Sequence, residues 1–261
     1  MLEFIKKKIL DSKIHTNPYP YIFIKNFIDR KDLKKINGIL PSYKSLCGKN
    51  VMYQSKSKTK KTILPSSKFY KKLNKNRIFI KFNIALKKIM PIFLKKFNKY
   101  IKLHVNKEYI NSKLIYHSSY SVMTNGYIKS PHTDRRDHLI TIIFYADSDF
   151  KNGGDILINK IKNHKKNYDI FPDKKNILVK KRYKICANSC LIILNVPWAY
   201  HSVSRYFGNK DRKYFYCVYD FPIKKKGTVI ENRKGGFNEN NFWKKKVELF
   251  SSERKSNFLS E

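Results

Sequence analysis

From Leu114 to Asp220 the chain is written in short β-branched and aromatic runs separated by polar turns. The candidate strands are Leu114–Met123, His138–Tyr145, Asp155–Ile158, Ile177–Val179, Lys184–Ala187, Cys190–Asn195 and Lys213–Asp220. About seven short strands within about 110 residues fit a jelly roll better than an α/β sheet. A mainly β (α+β) fold follows, with a jelly-roll core at 111–222 and the helical patterns of 1–110 bracing it.

Inside that stretch lies Pro131-His132-Thr133-Asp134. On extended backbone, residues two apart point the same way, so His132 and Asp134 can share one ion. A third ligand must come from a distant strand. His201, in Trp198-Ala199-Tyr200-His201-Ser202-Val203, follows the buried-strand pattern Leu191-Ile192-Ile193-Leu194. Two imidazoles and a carboxylate are the smallest set that holds Fe(II) on one face and leaves the other open. Zinc is the rival ion for the same residues, and His138 is the rival ligand, although it opens an apolar strand. The remaining histidines read as satisfied surface or core groups.

The succession of HxD, an apolar strand Leu139–Tyr145, the Asn152-Gly153-Gly154 turn, a further strand, then His201 and Arg212 resembles the Fe(II)/2-oxoglutarate-dependent dioxygenases, closest to their prolyl 4-hydroxylase-like branch. The resemblance covers roughly Tyr120 to Pro222. It implies a double-stranded β-helix with Fe(II) on His132, Asp134 and His201, and 2-oxoglutarate and O2 as co-substrates; it allows ascorbate as an additional reductant. It also implies a fixed cation for the distal carboxylate of 2-oxoglutarate, which Arg212 supplies as a planar fork of donors. Arg205 and Lys213 are the other candidates for that role. Tyr145 stands where that branch places a tyrosine on the same carboxylate, and Thr141, earlier in the strand, is assigned with it; Tyr145 equally fits a core tyrosine. Gly153-Gly154 reads as a hairpin or a close backbone approach. Related halogenases replace the carboxylate ligand with a small residue, so Asp134 points to oxidation. The implied reaction is hydroxylation of a C–H bond with release of succinate and CO2. The implied substrate is a prolyl or other amino-acid side chain, with nucleic-acid bases, a small metabolite or a sugar as alternatives.

The 261 residues carry a net charge of +38. A field of that sign attracts polyanions, and a basic nucleic-acid-binding protein with an inactive jelly roll is the non-enzyme alternative. Lysine carries the excess from end to end rather than on one element, so nucleic acid is not the favoured partner. The four cysteines (Cys47, Cys186, Cys190, Cys217) form no CxxC pair and read as reduced. No apolar run approaches the ~18–20 residues of a membrane span. Residues 1–8 lack the apolar centre of a secretory signal, which gives a cytoplasmic expectation.

Before the core, a helix is expected from Leu2 to Leu10, a strand at Pro18–Ile24, and a helix capped by Asp29 that ends before Pro41. The apolar positions 82, 86, 89, 90, 93, 97 and 100 trace one face of a helix, which Pro91 either kinks or divides. Residues 44–68 read as a lysine-rich loop, and 159–176 as an inserted loop beside the site. A basic extension fills 223–261, where Trp243, Val247 and Phe250 could share a helix face.

Overall fold

The computed structural model describes residues 1–47, 58–105, 112–135, 137–148, 151–162 and 170–222. The C-terminal extension with Trp243, Val247 and Phe250, and parts of the 44–68 and 159–176 segments, lie outside these. Among the described residues, ten strands build two sheets. They are β1 (Tyr21–Lys25), β2 (Lys60–Ile63), β3 (Ile115–Met123), β4 (Lys129–His132), β5 (His138–Asp147), β6 (Ile156–Ile161), β7 (Ile177–Tyr183), β8 (Ser189–Leu194), β9 (His201–Val203) and β10 (Arg212–Asp220). The major sheet runs β1-β8-β5-β10-β3-β2 and the minor sheet β4-β9-β6-β7. All recorded strand pairings are antiparallel. This is the double-stranded β-helix architecture expected from the run of short strands.

Register decides which side chains face the sandwich interior, because residues directly opposite in an antiparallel pair share a face. Tyr214 pairs with Tyr145, Tyr216 with Ile143 and Val218 with Thr141. Arg212, Tyr214, Tyr216 and Val218 therefore form one file with Tyr145, Ile143 and Thr141 beside them. The alternate residues Phe215, Cys217 and Tyr219 point the other way, onto a long helix.

Among the described residues five α-helices accompany the sheets: α1 (Leu2–Asp11), α2 (Arg30–Ile39), α3 (Tyr43–Leu46), α4 (Lys68–Leu73) and α5 (Arg77–His104). The Asp29 carboxylate caps α2 by accepting from Lys31 N at 2.8 Å. Helix α5 buries Phe79, Phe82, Leu86, Ile89, Phe93 and Phe97. The Phe82 ring lies 4.9 Å from Phe215 and 5.3 Å from Phe144, and Tyr219 Oη donates to Leu86 O at 2.6 Å. The helix continues undivided through Pro91. Pro91 and Lys87, whose carbonyl loses its helical partner, both lie on the exposed face where water can take that bond.

Three local expectations are corrected. Residues 44–68 are not wholly loop, because β2 falls within them and α3 reaches into them as far as Leu46. The candidate strand Ile177–Val179 runs on to Tyr183 as β7, and the candidate Lys184–Ala187 is not a strand. The second half of β7 escapes the apolar pattern because Lys180, Lys181 and Arg182 are exposed on an edge strand. Strands β4 and β9 are too short to show periodicity, yet they carry both metal-site histidines. Among the described residues no helix is long and apolar enough to cross a membrane.

Candidate metal centre

Strand β4 ends at His132 and β9 begins at His201, and the two are direct cross-strand partners. Their ring centroids lie 4.4 Å apart. Each imidazole has its Nδ1 against a backbone carbonyl, His132 on Ser130 O at 2.9 Å and His201 on Ala199 O at 3.1 Å. A carbonyl only accepts, so both Nδ1 atoms carry the hydrogen and both Nε2 atoms present a lone pair. These Nε2 atoms lie 4.0 and 3.8 Å from Asp134 Oδ1. Those separations are too long for a hydrogen bond, and the three ligand atoms converge on one point.

Burial holds His132 well below the ordinary imidazole value, and the His201 and Lys129 charges push the same way. Burial works to raise the Asp134 carboxyl, yet His201, His132, His138 and the Thr141 hydrogen bond together bring it below its usual value. The result is a neutral imidazole beside an ionised carboxylate, the protonation states a divalent ion requires.

Thr141 Oγ1 donates to Asp134 Oδ2 at 2.7 Å and accepts from Asn195 Nδ2 at 2.8 Å. The structure thus places Thr141 behind the metal carboxylate. Asn195 joins this chain unannounced, and its one sequence signal is an amide closing an apolar run. Tyr216, on the interior file, has its phenol pushed well up by burial and then by the Asp134 charge.

Arg212 enters the interior from the first position of β10 and is fully buried. One guanidinium nitrogen, Nη1, donates to Gly154 O, and the group lies 4.6 Å from the centre of the Tyr145 ring. Its Nε and Nη2 find no hydrogen-bond partner among the described residues. Leaving such donors unmet in a dry interior is costly, which marks the place as built for an anion. Gly153 and Gly154 both have positive φ, and a Cβ on Gly154 would overlap Arg212 Nη1. The glycine pair therefore serves close approaches, Gly154 to the Arg212 guanidinium and Gly153 to the Arg205 carbonyl.

The rival cations are placed elsewhere. Arg205 is exposed, and Lys213 sits on the opposite face of β10. Tyr214 links the two halves of the site. Burial lifts its phenol to about 12, with Ser121 and the Arg212 charge opposing and the Asp134 charge adding. Along β6, Gly154 lies four residues before Ile158, the partner of His201. At ~3.3 Å per residue that is ~13 Å of backbone between the arginine end and the metal end, which the long Arg212 side chain shortens. His138, the rival ligand, points its Nδ1 at Asp220 Oδ1, 2.5 Å away.

No family model matches the sequence, and no curated protein matches it. Comparison with solved structures finds a prolyl-4-hydroxylase of Pseudomonas putida, at 9% identity, 85% of this chain and 100% of that one, with a TM-score of 0.49. HygX of Streptomyces hygroscopicus, with nickel and 2-oxoglutarate bound, is similar at 10% identity, 85% and 92% coverage and a TM-score of 0.49. A prolyl hydroxylase of Trichoplax adhaerens, in complex with a hypoxia inducible factor peptide fragment, is similar at 11% identity, 84% and 89% coverage and a TM-score of 0.46.

Proposed function

We propose that the chain is an Fe(II)- and 2-oxoglutarate-dependent oxygenase that hydroxylates a C–H bond of a prolyl or other amino-acid side chain. The observation that carries the reading is Arg212: a buried guanidinium with two unmet donors, on the same interior file as the residues around Asp134. A dicarboxylate that chelates the metal at one end and reaches Arg212 with the other would satisfy both. His132, Asp134 and His201 would hold Fe(II), and their single-face arrangement leaves positions for a chelating co-substrate and O2.

When bound, Fe(II) would activate O2 so that one oxygen atom enters succinate as 2-oxoglutarate loses CO2 and the other enters the C–H bond, with two electrons drawn from 2-oxoglutarate and two from that bond. The chain's own residues do the rest. The Ser130 and Ala199 carbonyls hold the imidazoles in the tautomer that presents Nε2. Thr141 and Asn195 fix the rotation of the Asp134 carboxylate. Tyr145 and Tyr206 wall the guanidinium from water, with their ring centres 4.6 and 5.8 Å from it.

The test is anaerobic reconstitution with Fe(II), followed by O2, 2-oxoglutarate and proline-containing peptides. Succinate formed one-to-one with 2-oxoglutarate consumed, and hydroxyproline in the product, are expected. Iron bound without succinate formation would refute the enzyme reading. Succinate without a modified amino acid would refute only the substrate class.

A further inference from the structure

Between β6 and β7, residues 170 and 171 lie away from those strands. The base of the connection is pinned where Lys162 N donates to Asn176 O at 2.8 Å. Yet Ile170 O accepts from Thr133 N at 3.0 Å, just beyond β4, at the opposite edge of the minor sheet. The next residue, Phe171, lays its ring over His132, with centroids 6.2 Å apart and planes inclined by 19°. The ring remains 48% exposed.

Lys129 completes the arrangement. Its Nζ lies 5.3 Å from the centre of the Phe171 ring. In a regular strand, residues 129 and 132 would face opposite ways. The pairing of β4 with β9 is irregular between them, and their partners Val203 and His201, two apart, share a face. The irregularity brings Lys129 to the side of β4 that carries the metal ligands.

An exposed apolar ring with an ammonium group on it, beside a metal ligand, fits a substrate that is apolar at one point and anionic next to it. Among the described residues, Lys174 and Lys175 follow on the same segment, and Asp173 pairs with Lys175. A peptide suits this place better than a nucleic-acid strand, which is usually held on successive aromatic platforms. Among the described residues Phe171 is the one exposed phenylalanine beside His132, and Phe207, also exposed, belongs to the arginine end, where its N donates to Asn152 O.

We infer that Phe171 and Lys129 form a substrate subsite that selects a peptide carrying a carboxylate side chain beside the residue to be oxidised. The inference rests on the oxygenase reading above. The probes are two pools of synthetic peptides with a central proline and randomised neighbours, one with flanking Glu and one with flanking Lys. Each is given to the Fe(II)-reconstituted full chain with 2-oxoglutarate and O2, and peptide hydroxylation is counted. The Glu pool should be turned over at least about tenfold faster. Lys129→Glu should abolish or invert the ratio, Lys129→Arg should keep it, and Phe171→Ala should slow the Glu pool selectively. Equal rates on the two pools, or an unchanged ratio in Lys129→Glu, would overturn the subsite while leaving the oxygenase standing. Oxidation of a single-stranded RNA oligonucleotide in preference to the Glu pool would overturn it in favour of nucleic acid. Absence of succinate under every condition would remove the oxygenase reading and the subsite together.

Discussion

Two buried groups of histidine and carboxylate flank the loop that leaves β4, and they use the same residue types to opposite ends. At His132, Asp134 and His201, both imidazoles give their Nδ1 hydrogens to backbone carbonyls, and Asp134 Oδ1 stays 3.8 Å or more from either Nε2. At Asp137, His138 and Asp220, the imidazole bonds directly to Asp220, and Arg135 Nε donates to Asp137 Oδ1 at 2.9 Å, with its Nη2 on the other oxygen. The second group closes its charges on itself and ties the start of β5 to the end of β10. The first aims its lone pairs at a shared point. The two groups share their residue types, and what separates them is the direction of each lone pair.

The sharpest way to break the contrast is to remove one carboxylate from each group. Asp134→Ala should abolish retention of Fe(II), whereas Asp220→Asn should retain it, as read by metal content after desalting. Loss of iron from both, or from neither, would erase the distinction. Next in size is Arg212→Ala, which leaves a bound dicarboxylate without its partner. Breaking a desolvated charge pair of this kind typically costs ~2–5 kcal/mol, to be measured as weakened 2-oxoglutarate binding. Unchanged binding would move the role to another cation.

Thr141→Val keeps the shape and removes the hydroxyl on Asp134. Loss of such an outer partner typically weakens metal affinity ~10–100-fold, which a competition titration would show. Gly154→Ala forces a side chain into positive φ and onto Arg212, and should cost ~1–3 kcal/mol in urea unfolding. The smallest effect belongs to the second group. Burial pulls the His138 imidazole down, but the hydrogen bond to Asp220 and the charges of Asp220 and Asp137 prevail against Arg135, so its folded value is raised. Stability from a raised imidazole is complete below its unfolded value of about 6.5 and is lost as pH climbs through the folded one. Urea midpoints should therefore fall as pH rises above that value, and His138→Gln should flatten the slope.

The trio was legible in the sequence because an HxD pair on extended backbone needs no long-range information, and His201 follows a recognisable buried strand. The fold was legible from the rhythm of short runs. What stayed hidden depends on pairing. The role of Thr141 follows from where Asp134 turns after β4, and Asn195 joins only because β8 lies beside β5. Tyr214 and Tyr216 could have been found by stepping in twos from Arg212. Strand β2 could not, because Lys60-Lys61-Thr62-Ile63 is a four-residue sheet edge with a single apolar side chain and no alternation to announce it.

The central claim is that the metal trio and Arg212 are two ends of one dicarboxylate site. The most direct measurement is an anaerobic binding isotherm of 2-oxoglutarate on the protein with and without Fe(II). The account predicts saturable one-to-one binding that requires the metal, with succinate, which lacks the chelating 2-oxo group, binding far more weakly. No binding to the Fe(II)-loaded protein, or equal affinity with and without the ion, would contradict it.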